Sequence, residues 1–394
     1  MIELDKKQKI MHDTMVDWYN SHKSDYIVCS GYAGTGKTTI LGEVLKTFGK
    51  QDIRVSCATF TGKASHVLIK KIKHCPYKYC GTIHGLIYSP TIDPITGELL
   101  GFKRNSPEDV ETDLIIIDEC SMIDEDLFND LLSFHIPIIF IGDNAQLPPV
   151  SSKRFDIFSN IDCQLTQIHR QAEKSMIIKL SMMVRNNEVI HQGHGGDCSR
   201  IDWYDDHKEA RAVIYNHNPK SDEILLCGMN KTRIRLNNII RKNLKIPDNN
   251  PIIGDKIVCL QNNHELGIMN GQLGFIKDMR PFTKYAYDMD LIFDGKETNH
   301  CVFAHGFNQI NQNKYWKQVR TKGLKETLNR YNYSKLDSVD YGYALSVHKS
   351  QGAQWDSVIL INERNSYQSN KDYRKWLYTG ITRAERKLTI IDNF

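Results

Sequence analysis

Residues 25–48 read DYIVCSGYAGTGKTTILGEVLKTF, which is an apolar strand, a glycine-rich loop and an apolar helix in succession. The centre of this stretch, residues 31–39, fits the pattern G-x-x-x-x-G-K-[ST]. Glycines let the N–H groups of such a loop surround phosphate oxygens, while the lysine reaches the β- and γ-phosphates and the hydroxyl binds Mg²⁺. The stretch therefore predicts a phosphate-binding α/β unit. It does not distinguish a kinase from a switch or a motor.

Length and composition narrow the class of protein. We expect two to four compact units in 394 residues, because one hydrophobic core stops growing near about 250–300 residues. No apolar run approaches the roughly 18 residues of a membrane span, and the charged start MIELDKKQK is not typical of a signal peptide. Ten scattered cysteines indicate a reducing cytoplasm. A net charge of +4 permits a nucleic-acid partner without requiring one.

Three further apolar runs end in polar or small residues: RVSCAT (54–59), LIIID (114–118) and IPIIFIGD (136–143). Helical stretches separate them, and continuous apolar strands that alternate with helices are typical of a parallel sheet covered on both faces. Ligands of such sheets bind beyond the carboxyl ends of the strands. We therefore expect these polar strand ends to lie beside the phosphate loop.

The α/β pattern recurs in the second half of the chain, where EILLCGMN (223–230), SVILINE (357–363) and KLTIID (387–392) predict the strands of a similar unit. Short β-type runs and turns between 251 and 337 predict a small β-barrel inserted into that unit. A Pro/Gly turn between β-type residues at 89–105 predicts a projecting hairpin. The predicted architecture is two α/β sheets with two small insertions.

Two acids stand at the end of the apolar run in IIIDECSM, namely Asp118 and Glu119. A metal-bound phosphoryl site needs a carboxylate near Mg²⁺ and a group that activates or orients water. Asp118 suits the first role and Glu119 the second. The alternative is a helix N-terminus that carries favourable acids, but a phosphate loop on a neighbouring strand favours the phosphoryl site.

Three more side chains are candidates for contact with a γ-phosphate: Gln146 in IGDNAQLPPV, Arg170 in LTQIHRQ and Arg383 in YTGITRAERK. An amide at the crevice can detect the γ-phosphate, and arginines from another domain stabilise charge on a transferring phosphoryl group. The alternatives are a proline-terminated loop for Gln146 and solvated surface charges for the two arginines.

Three loops, ATFTGKAS (58–65), GTIHG (81–85) and SVHKSQGAQW (346–355), are rich in hydroxyls, histidine and lysine. Such groups bind nucleic-acid phosphates, and aromatic rings stack on bases, although each loop taken singly is more simply an ordinary turn or cap. A zinc site is a further alternative at HCPYKYCGTIH (74–84), but its C-x₄-C spacing is loose and favours free thiols.

Taken in order, ten stretches resemble the helicase motifs of superfamily 1, class B, in the branch of RecD and the phage helicase Dda: DKKQKIM, GYAGTGKTT, ATFTGKAS, GTIHG, IIIDECSM, GDNAQLPPV, LTQIHRQ, MNKTRIRLN, YALSVHKSQGAQWDSVIL and LYTGITRA. The resemblance covers nearly the entire chain, both insertions included, and follows the Dda pattern most closely. Two departures are IHRQ, which is nearer the RecD pattern, and Ser346, which stands where threonine is usual.

The resemblance implies a site for ATP and Mg²⁺ between two domains. In it Gln8 recognises adenine, Thr38 and Asp118 hold the metal, and Glu119 activates water. Phosphate contacts would come from Lys37, Gln146, Arg170 and Arg383. The other residues that the resemblance implies at the nucleotide are Gly34, Thr35, Gly36, Thr39 and Gly352. Those that it implies along a single strand of DNA are Thr61, Lys63, Thr82, His84, Asn230, Ser346 and His348.

For the fold, the resemblance implies two RecA-like parallel-sheet domains, at 1–175 and at 176–250 with 338–394. It implies a wedge hairpin at 86–108 and an SH3-like β-barrel at 251–337. Phe102 is the candidate aromatic contact of the wedge, with ordinary packing in the hairpin as the alternative.

The function that the resemblance implies is an ATP-dependent 5′-to-3′ DNA helicase. It would translocate on single-stranded DNA and unwind fork DNA, as a monomer in a bacterial or phage-infected host cytoplasm. Replication or recombination proteins are candidate protein partners. Two alternatives stay open: a nucleotide-gated nucleic-acid switch or clamp without unwinding, and a small-molecule kinase. A kinase needs no second α/β domain that supplies an arginine, so the second half of the chain argues against it.

Overall fold

The protein is represented by a computed structural model. It describes residues 4–21, 23–92, 99–149, 155–168, 175–188, 199–219, 221–246, 250–260, 266, 268, 270–283, 286–303, 307–308, 337–366, 368–392 and 394. Within these residues no helix is long and apolar enough to cross a membrane.

The helices in the described residues are α1 (Lys6–Ser21), α2 (Lys37–Gly49), α3 (Gly62–Ile72), α4 (Ile83–Ile87), α5 (Pro107–Val110), α6 (Glu125–Leu132), α7 (Met176–Asn186), α8 (His207–Tyr215), α9 (Asn230–Asn243) and α10 (Asn370–Ile381). The strands of the first half are β1 (Tyr26–Gly31), β2 (Val55–Thr59), β3 (Tyr79–Thr82), β4 (Tyr88–Ile92), β5 (Leu99–Arg104), β6 (Leu114–Asp118), β7 (Ile138–Gly142) and β8 (Cys163–Leu165). Those of the second half are β9 (Arg200–Tyr204), β10 (Glu223–Cys227), β11 (Lys256–Cys259), β12 (Leu273–Thr283), β13 (Ala286–Phe293), β14 (Lys296–Phe303), β15 (Val339–Tyr341), β16 (Ala344–Ser346), β17 (Trp355–Ile361) and β18 (Ala384–Ile391).

The first sheet is parallel and has the strand order β3-β2-β6-β7-β1-β8. Alternate residues of its strands face two separate cores: Ile116 and Ile139 pack with α1, α2 and α3, while Ile117 and Phe140 pack with α4 and α6. Helices therefore cover both faces, which is why these strands read as continuous apolar runs. The predicted α/β class is confirmed for this half.

The second sheet is also parallel, with the order β16-β10-β17-β18-β9. If its strands are renumbered along the chain, this order is 3-2-4-5-1. The first sheet shows the same 3-2-4-5-1 order in β3-β2-β6-β7-β1, followed by β8 at its edge. The repeated α/β pattern in the sequence therefore corresponds to two sheets of the same topology, and the predicted pair of similar units is confirmed.

Two antiparallel insertions interrupt these sheets. Strands β4 and β5 form the predicted hairpin, which pairs Tyr88 with Arg104 at its base, and its turn at 93–98 lies outside the described residues. The second insertion is a sheet of order β14-β13-β12-β11-β15 between β10 and β16. Its likeness to an SH3 barrel stays a prediction. The predicted domain limits also stay a prediction. In the structure the chain passes from antiparallel to parallel pairing between Tyr341 and Ala344.

The antiparallel sheet shares one hydrophobic core with the second parallel sheet, because buried side chains of β11 to β15 pack with those of α8, α9, β10 and β17. Two buried ion pairs cross the same boundary from α9. Arg233 Nη1 lies 2.7 Å from Asp340 Oδ2, and Arg241 Nη2 lies 3.2 Å from Asp255 Oδ2. The insertion is therefore joined to the second sheet by apolar and ionic contacts together.

Candidate functional site

The phosphate loop lies where β1 ends and α2 begins. Gly34 and Gly36 have positive φ angles of 78° and 82°, a conformation that glycine adopts without the steric cost of a Cβ. Gly36 also stands at the N-cap of α2, and no side chain caps that helix. The backbone N–H groups of Lys37 and Thr38 at the start of α2 are thus available to an anion, as the sequence pattern predicts, whereas the Thr39 N–H donates to the Gly36 carbonyl at 3.0 Å.

Lys37 folds back over this loop. Its Nζ donates hydrogen bonds to the carbonyl oxygens of Gly31, at 2.6 Å, and Tyr32, at 3.1 Å. Thr35 adds a bond within the loop, from its hydroxyl to the Tyr32 carbonyl at 2.8 Å. Thr38 and Thr39 follow Lys37 in the first turn of α2 and line the adjoining cavity. The ammonium group is therefore held at the loop by weak neutral acceptors, which a phosphate can replace.

Gln8 joins α1 to the loop. Its side chain is buried, Nε2 donates to the Thr35 carbonyl at 3.3 Å, and Oε1 accepts from the Asp5 N–H at 3.1 Å. This places Gln8 against the loop, in agreement with a role at the nucleotide. Recognition of adenine by Gln8 stays a prediction.

The two carboxylates lie at the carboxyl end of β6. Asp118 is its last residue, and Glu119 follows with a φ of 55°. Burial and, to a lesser extent, the charge of Glu119 raise the pKa of Asp118 to about 6, while the charge of Lys37 opposes the shift. A cation at this carboxylate offsets the cost of burying its charge. Both side chains line the cavity beside the phosphate loop, as predicted.

Arg383 approaches from the second sheet. Its buried guanidinium donates to the carbonyls of Thr379 and Ala353, both at 3.0 Å, and to the Thr382 hydroxyl at 3.2 Å. Burial lowers its pKa, and the charge of Glu119 opposes that shift. In this structure Arg383 is therefore held by its own neighbours at the cavity wall. Its contact with a γ-phosphate stays a prediction.

One cavity of about 790 Å³ brings these residues together. Its wall includes predicted residues of the first unit and of the second: Gly34, Gly36, Lys37, Thr38, Thr39, Asp118, Glu119, Gln146, Gly352 and Arg383. Gln146 itself is buried. Arg170 lies outside the described residues, so its predicted role stays a prediction.

The two units are in direct contact beside this cavity. A Cβ on Gly352, whose φ is 73°, would lie 2.8 Å from the Ala64 Cβ and 2.9 Å from the Thr61 hydroxyl oxygen. The Lys63 ammonium lies 3.9 Å from the centre of the Trp355 ring. Gly352 is therefore needed for close packing of the second unit on α3, a requirement separate from any contact with the nucleotide.

Sequence reasoning missed several residues at the contact between the two units. Gln351 Nε2 donates to the Leu147 carbonyl at 3.0 Å, and the Leu147 N–H donates to the Thr379 hydroxyl at 3.0 Å. The Tyr378 hydroxyl contacts Ala33 of the phosphate loop and Asp143, and neither Tyr378 nor Asp143 was among the predicted site residues. All of these lie inside or next to motifs, but partners more than 200 positions apart leave no local pattern.

The candidate strand-binding residues lie at the carboxyl edges of the two sheets. Three of their hydroxyls act as local caps: those of Thr61, Thr82 and Ser346 accept from the N–H groups of Ala64, Gly85 and Lys349.

The remaining candidates differ in their surroundings. His84 is exposed near the rings of Phe60 and Tyr88. Burial lowers the pKa of His348. Asn230 begins α9 and accepts from the Arg233 side chain, while Phe102 is 55% exposed on β5. Their use in binding DNA stays a prediction.

The zinc alternative is not supported. The described residues, which include all of 74–84, contain no group of three metal-ligating side chains. Cys80 lies on β3, and burial raises its pKa to about 12, whereas a zinc thiolate needs a lowered pKa. The described cysteines are free thiols.

Comparison with known families gives two matches. The AAA domain family matches residues 3–213, and the UvrD-like helicase C-terminal domain matches residues 341–391. The first match contains the phosphate loop, Asp118 and Glu119. The second contains Gly352 and Arg383.

Among curated relatives, the ATP-dependent RecD2 DNA helicase of Deinococcus radiodurans is 24% identical over 91% of this chain and 46% of its own length. The ATP-dependent DNA helicase dda of Enterobacteria phage T4 is 30% identical over 60% of this chain and 56% of its own. A RecBCD enzyme subunit RecD, from Buchnera aphidicola, is 24% identical over 93% and 70%. The chain thus spans about half the length of the first two of these relatives.

Solved structures of Pif1 helicases share the fold. One structure, from work on DNA unwinding at forked duplex DNA by two Pif1 helicases, has a TM-score of 0.57 at 18% identity. The match covers 99% of this chain and 92% of the Pif1 chain. A second, of Bacteroides Pif1 with ADP-AlF3 and single-stranded DNA, has a TM-score of 0.56 at 18% identity and the same coverage. These likenesses support two RecA-like units in one chain.

Proposed function

The chain belongs to the AAA domain family, and from this premise we propose that it is an ATP-dependent DNA helicase of the RecD/Dda-like branch of superfamily 1B. It moves 5′ to 3′ along single-stranded DNA and separates the duplex at a fork. The motifs, the family matches over residues 3–213 and 341–391 and the likeness to RecD2 over 91% of the chain support this proposal. The direction of movement rests on the family alone.

The observation that carries the proposal is the shared cavity. Lys37 from the first unit and Arg383 from the second line the same space of about 790 Å³. A nucleotide bound there contacts both units, so its hydrolysis changes the free energy of their association. A phosphate site confined to one sheet would not do this. The arrangement therefore fits a motor better than a kinase.

The donors in the cavity fit ATP with Mg²⁺. The Thr38 hydroxyl and the Asp118 carboxylate are the hard oxygen ligands that this ion prefers. When bound, Mg²⁺ neutralises charge on the phosphate oxygens. Lys37 exchanges its two carbonyl acceptors for phosphate, the free N–H groups of α2 bind phosphate oxygens, and Glu119 orients the attacking water. Gln146, Arg170 and Arg383 contact the γ-phosphate.

The strand is bound along the carboxyl edges of the two sheets, by Thr61, Lys63, Thr82 and His84 on the first and by Asn230, Ser346 and His348 on the second. Their hydroxyl, amide and basic groups suit phosphate contacts, which position a strand without reading its sequence. The β4–β5 hairpin is the wedge. Exposure of the Phe102 ring supports a contact with bases over packing within the hairpin.

We also propose that the protein works as a monomer, in a reducing cytoplasm and with replication, recombination or repair proteins as partners. The free state of the described cysteines supports the compartment. The domain limits given above, at 1–175, 176–250 with 338–394, and 251–337, are part of the proposal. Limited proteolysis tests them, because cleavage should concentrate between compact units.

The decisive experiment is ATP turnover with and without single-stranded DNA. We expect turnover to rise steeply on adding DNA and to vanish in Lys37→Ala, because the ammonium that binds phosphate is lost. Tailed duplexes then give the direction, with unwinding expected only for a 5′ overhang. Turnover that ignores DNA would refute the motor, and DNA-dependent turnover without unwinding would favour a nucleotide-gated clamp. Unwinding only from a 3′ overhang would contradict the direction.

A further inference from the structure

The Tyr378 hydroxyl joins three elements at the cavity. It accepts a hydrogen bond from the N–H of Ala33, in the phosphate loop, at 3.0 Å. It donates one to Asp143 Oδ2, just beyond β7, at 2.6 Å. Tyr378 itself lies on α10 of the second unit. One oxygen atom therefore connects the loop, the adjacent strand end of the same sheet and a helix of the other sheet.

Both partners are withdrawn from water. Tyr378 and Asp143 are 1% and 0% exposed, and burial raises the pKa of Tyr378 well above its usual range. The hydroxyl thus keeps its proton and can donate to the carboxylate while it accepts from Ala33. The Asp143 carboxylate is fixed in turn by the Ala145 N–H, which donates to Oδ1 at 3.0 Å. A hydrogen bond to a buried carboxylate is among the stronger polar contacts.

Helix α10 leads from this contact to Arg383. The residue after Tyr378 is Thr379, whose hydroxyl accepts from the Leu147 N–H and whose carbonyl accepts from Arg383 Nε at 3.0 Å. The position of the guanidinium at the cavity wall therefore depends on where this turn of α10 sits. Tyr378 sets that position relative to the phosphate loop.

We propose that Tyr378 is a positioning residue that transmits the state of the phosphate loop to Arg383. When phosphate takes up N–H groups of the loop, the backbone at Ala33 shifts, and the hydroxyl carries that shift to α10. Asp143 keeps the hydroxyl oriented throughout. This inference rests on the proposed function, because it concerns the turnover of a nucleotide bound between the two units.

The test is Tyr378→Phe, which removes the hydroxyl and retains the ring. We expect kcat for ATP to fall about tenfold, the size of effect that the loss of one hydrogen bond to a charged group can produce. KM for ATP should stay within about threefold, because the phosphate contacts are untouched. Turnover is measured both with and without single-stranded DNA.

The matched control is Tyr343→Phe. Its hydroxyl is also buried and donates to a carboxylate, Asp255 Oδ1 at 2.7 Å, but this bond lies away from the cavity. Both variants should lower the melting temperature to a similar extent, and only Tyr378→Phe should lower kcat. A double-mutant cycle with Asp143→Asn should be non-additive in kcat, since the two side chains share one bond.

Equal kcat in the two tyrosine variants would overturn the proposal, as would equal losses in kcat and in 1/KM for Tyr378→Phe. Wild-type turnover that ignores DNA would instead refute the helicase proposal. The DNA-free kcat of the two variants would still test Tyr378 in that case, so the two failures are distinguishable.

Discussion

The two parallel sheets have the same topology and carry different residues after corresponding strands. In the first, Thr61 follows β2 by two positions and caps α3, and in the second Met229 follows β10 by two positions and precedes α9. Likewise Thr82 and His84 close β3 as Ser346 and His348 close β16. Two of the strand-binding candidates on each sheet, Thr82 with His84 and Ser346 with His348, therefore occupy equivalent places, whereas Asn230 lies one position beyond the place that corresponds to Thr61.

The sheets differ most after β1 and β9, the strands that come first in the chain in each parallel sheet. In the first sheet the glycine loop leaves the N-terminus of α2 without a side-chain cap. In the second sheet α8 follows β9, and the Asp206 carboxylate accepts from the N–H groups of Lys208 and Glu209 at 2.8 and 3.1 Å. The same scaffold thus leaves a helix N-terminus without a side-chain cap in one unit and caps it with a carboxylate in the other, which is why we propose a single nucleotide site in the chain.

A second difference lies after β6 and β17, each the fourth strand of its parallel sheet in chain order. Glu119 faces the cavity, whereas Glu363, just beyond β17, accepts from the N–H groups of Gly228 and Met229 at 2.8 and 3.1 Å and from the Thr232 hydroxyl. The carboxylate of the second unit therefore holds a turn rather than a water molecule. Acidic residues that follow corresponding strands thus line the cavity in one sheet and hold a turn in the other.

The largest effect should come from Arg383, the contribution of the second sheet to the nucleotide site. We expect Arg383→Ala to lower kcat by about 10³-fold, because charge on the transferring phosphoryl group loses its partner. Binding of ADP should change little, and titration calorimetry would show this. The control is Arg386→Ala, since Arg386 is exposed and pairs only with Asp356 in the described contacts. Equal losses in kcat and in nucleotide affinity would contradict the role.

The paired carboxylates give the next test. Glu119→Gln should lower kcat by roughly 10²-fold and still bind nucleotide, because general-base groups contribute on the order of 10²–10⁴. Glu363→Gln should leave kcat at saturating DNA within about threefold and lower the melting temperature instead. Steady-state turnover and thermal unfolding measure the two quantities. Equal losses of kcat in Glu119→Gln and Glu363→Gln would contradict a catalytic role for Glu119 and a purely structural role for Glu363.

A pH effect should appear at the contact between the two units. Burial lowers the pKa of Lys63 to about 8, with Asp222, Asp294, Lys256 and Arg383 as the other charges that act on it. Its positive charge is therefore lost as pH rises through about 8, and affinity for single-stranded DNA should fall there by a few-fold. Fluorescence anisotropy between pH 7 and 9 at fixed salt checks this.

The control for that pH effect is Lys63→Met, which should flatten the profile. Because the unfolded chain keeps this proton to higher pH, the free energy of unfolding should rise with pH above about 8. A wild-type affinity profile that matched the Lys63→Met profile would exclude Lys63 from strand binding.

The smallest effect should be that of Asp206→Ala. Loss of this cap should cost about 1 kcal/mol of stability and lower the melting temperature by roughly 2–4 °C. ATP turnover at 25 °C should be unchanged, since α8 binds no phosphate. Calorimetry and turnover assays measure both. A marked loss of ATP turnover in Asp206→Ala would mean that the N-terminus of α8 contributes to catalysis.

The sequence was sufficient for features that depend on local pattern. The phosphate loop, the strand that ends in Asp118, the β4–β5 hairpin and the two α/β units follow from periodicity, glycine spacing and motif order. The family resemblance added Gln8, and the structure places it against Thr35 of the loop.

The features that could not be predicted depend on contacts between distant residues. Tyr378 and Ala33 are far apart in sequence, and nothing around either indicates that they share a hydrogen bond. The same holds for Gly352, which the sequence assigns to the nucleotide but whose conformation and packing on Ala64 explain its identity. The ion pairs of α9 could not be inferred either, since basic residues on a helix are usually solvated.

Those ion pairs have a mechanical consequence. Since Arg233 and Arg241 bind Asp340 and Asp255 beneath a shared apolar core, the described part of the antiparallel sheet and the second parallel sheet form one stiff lever. We therefore expect a load applied to the described part of the insertion to be transmitted through these contacts to the second parallel sheet, whose Arg383 lines the cavity. Such a load would oppose any movement of that sheet toward the phosphate loop.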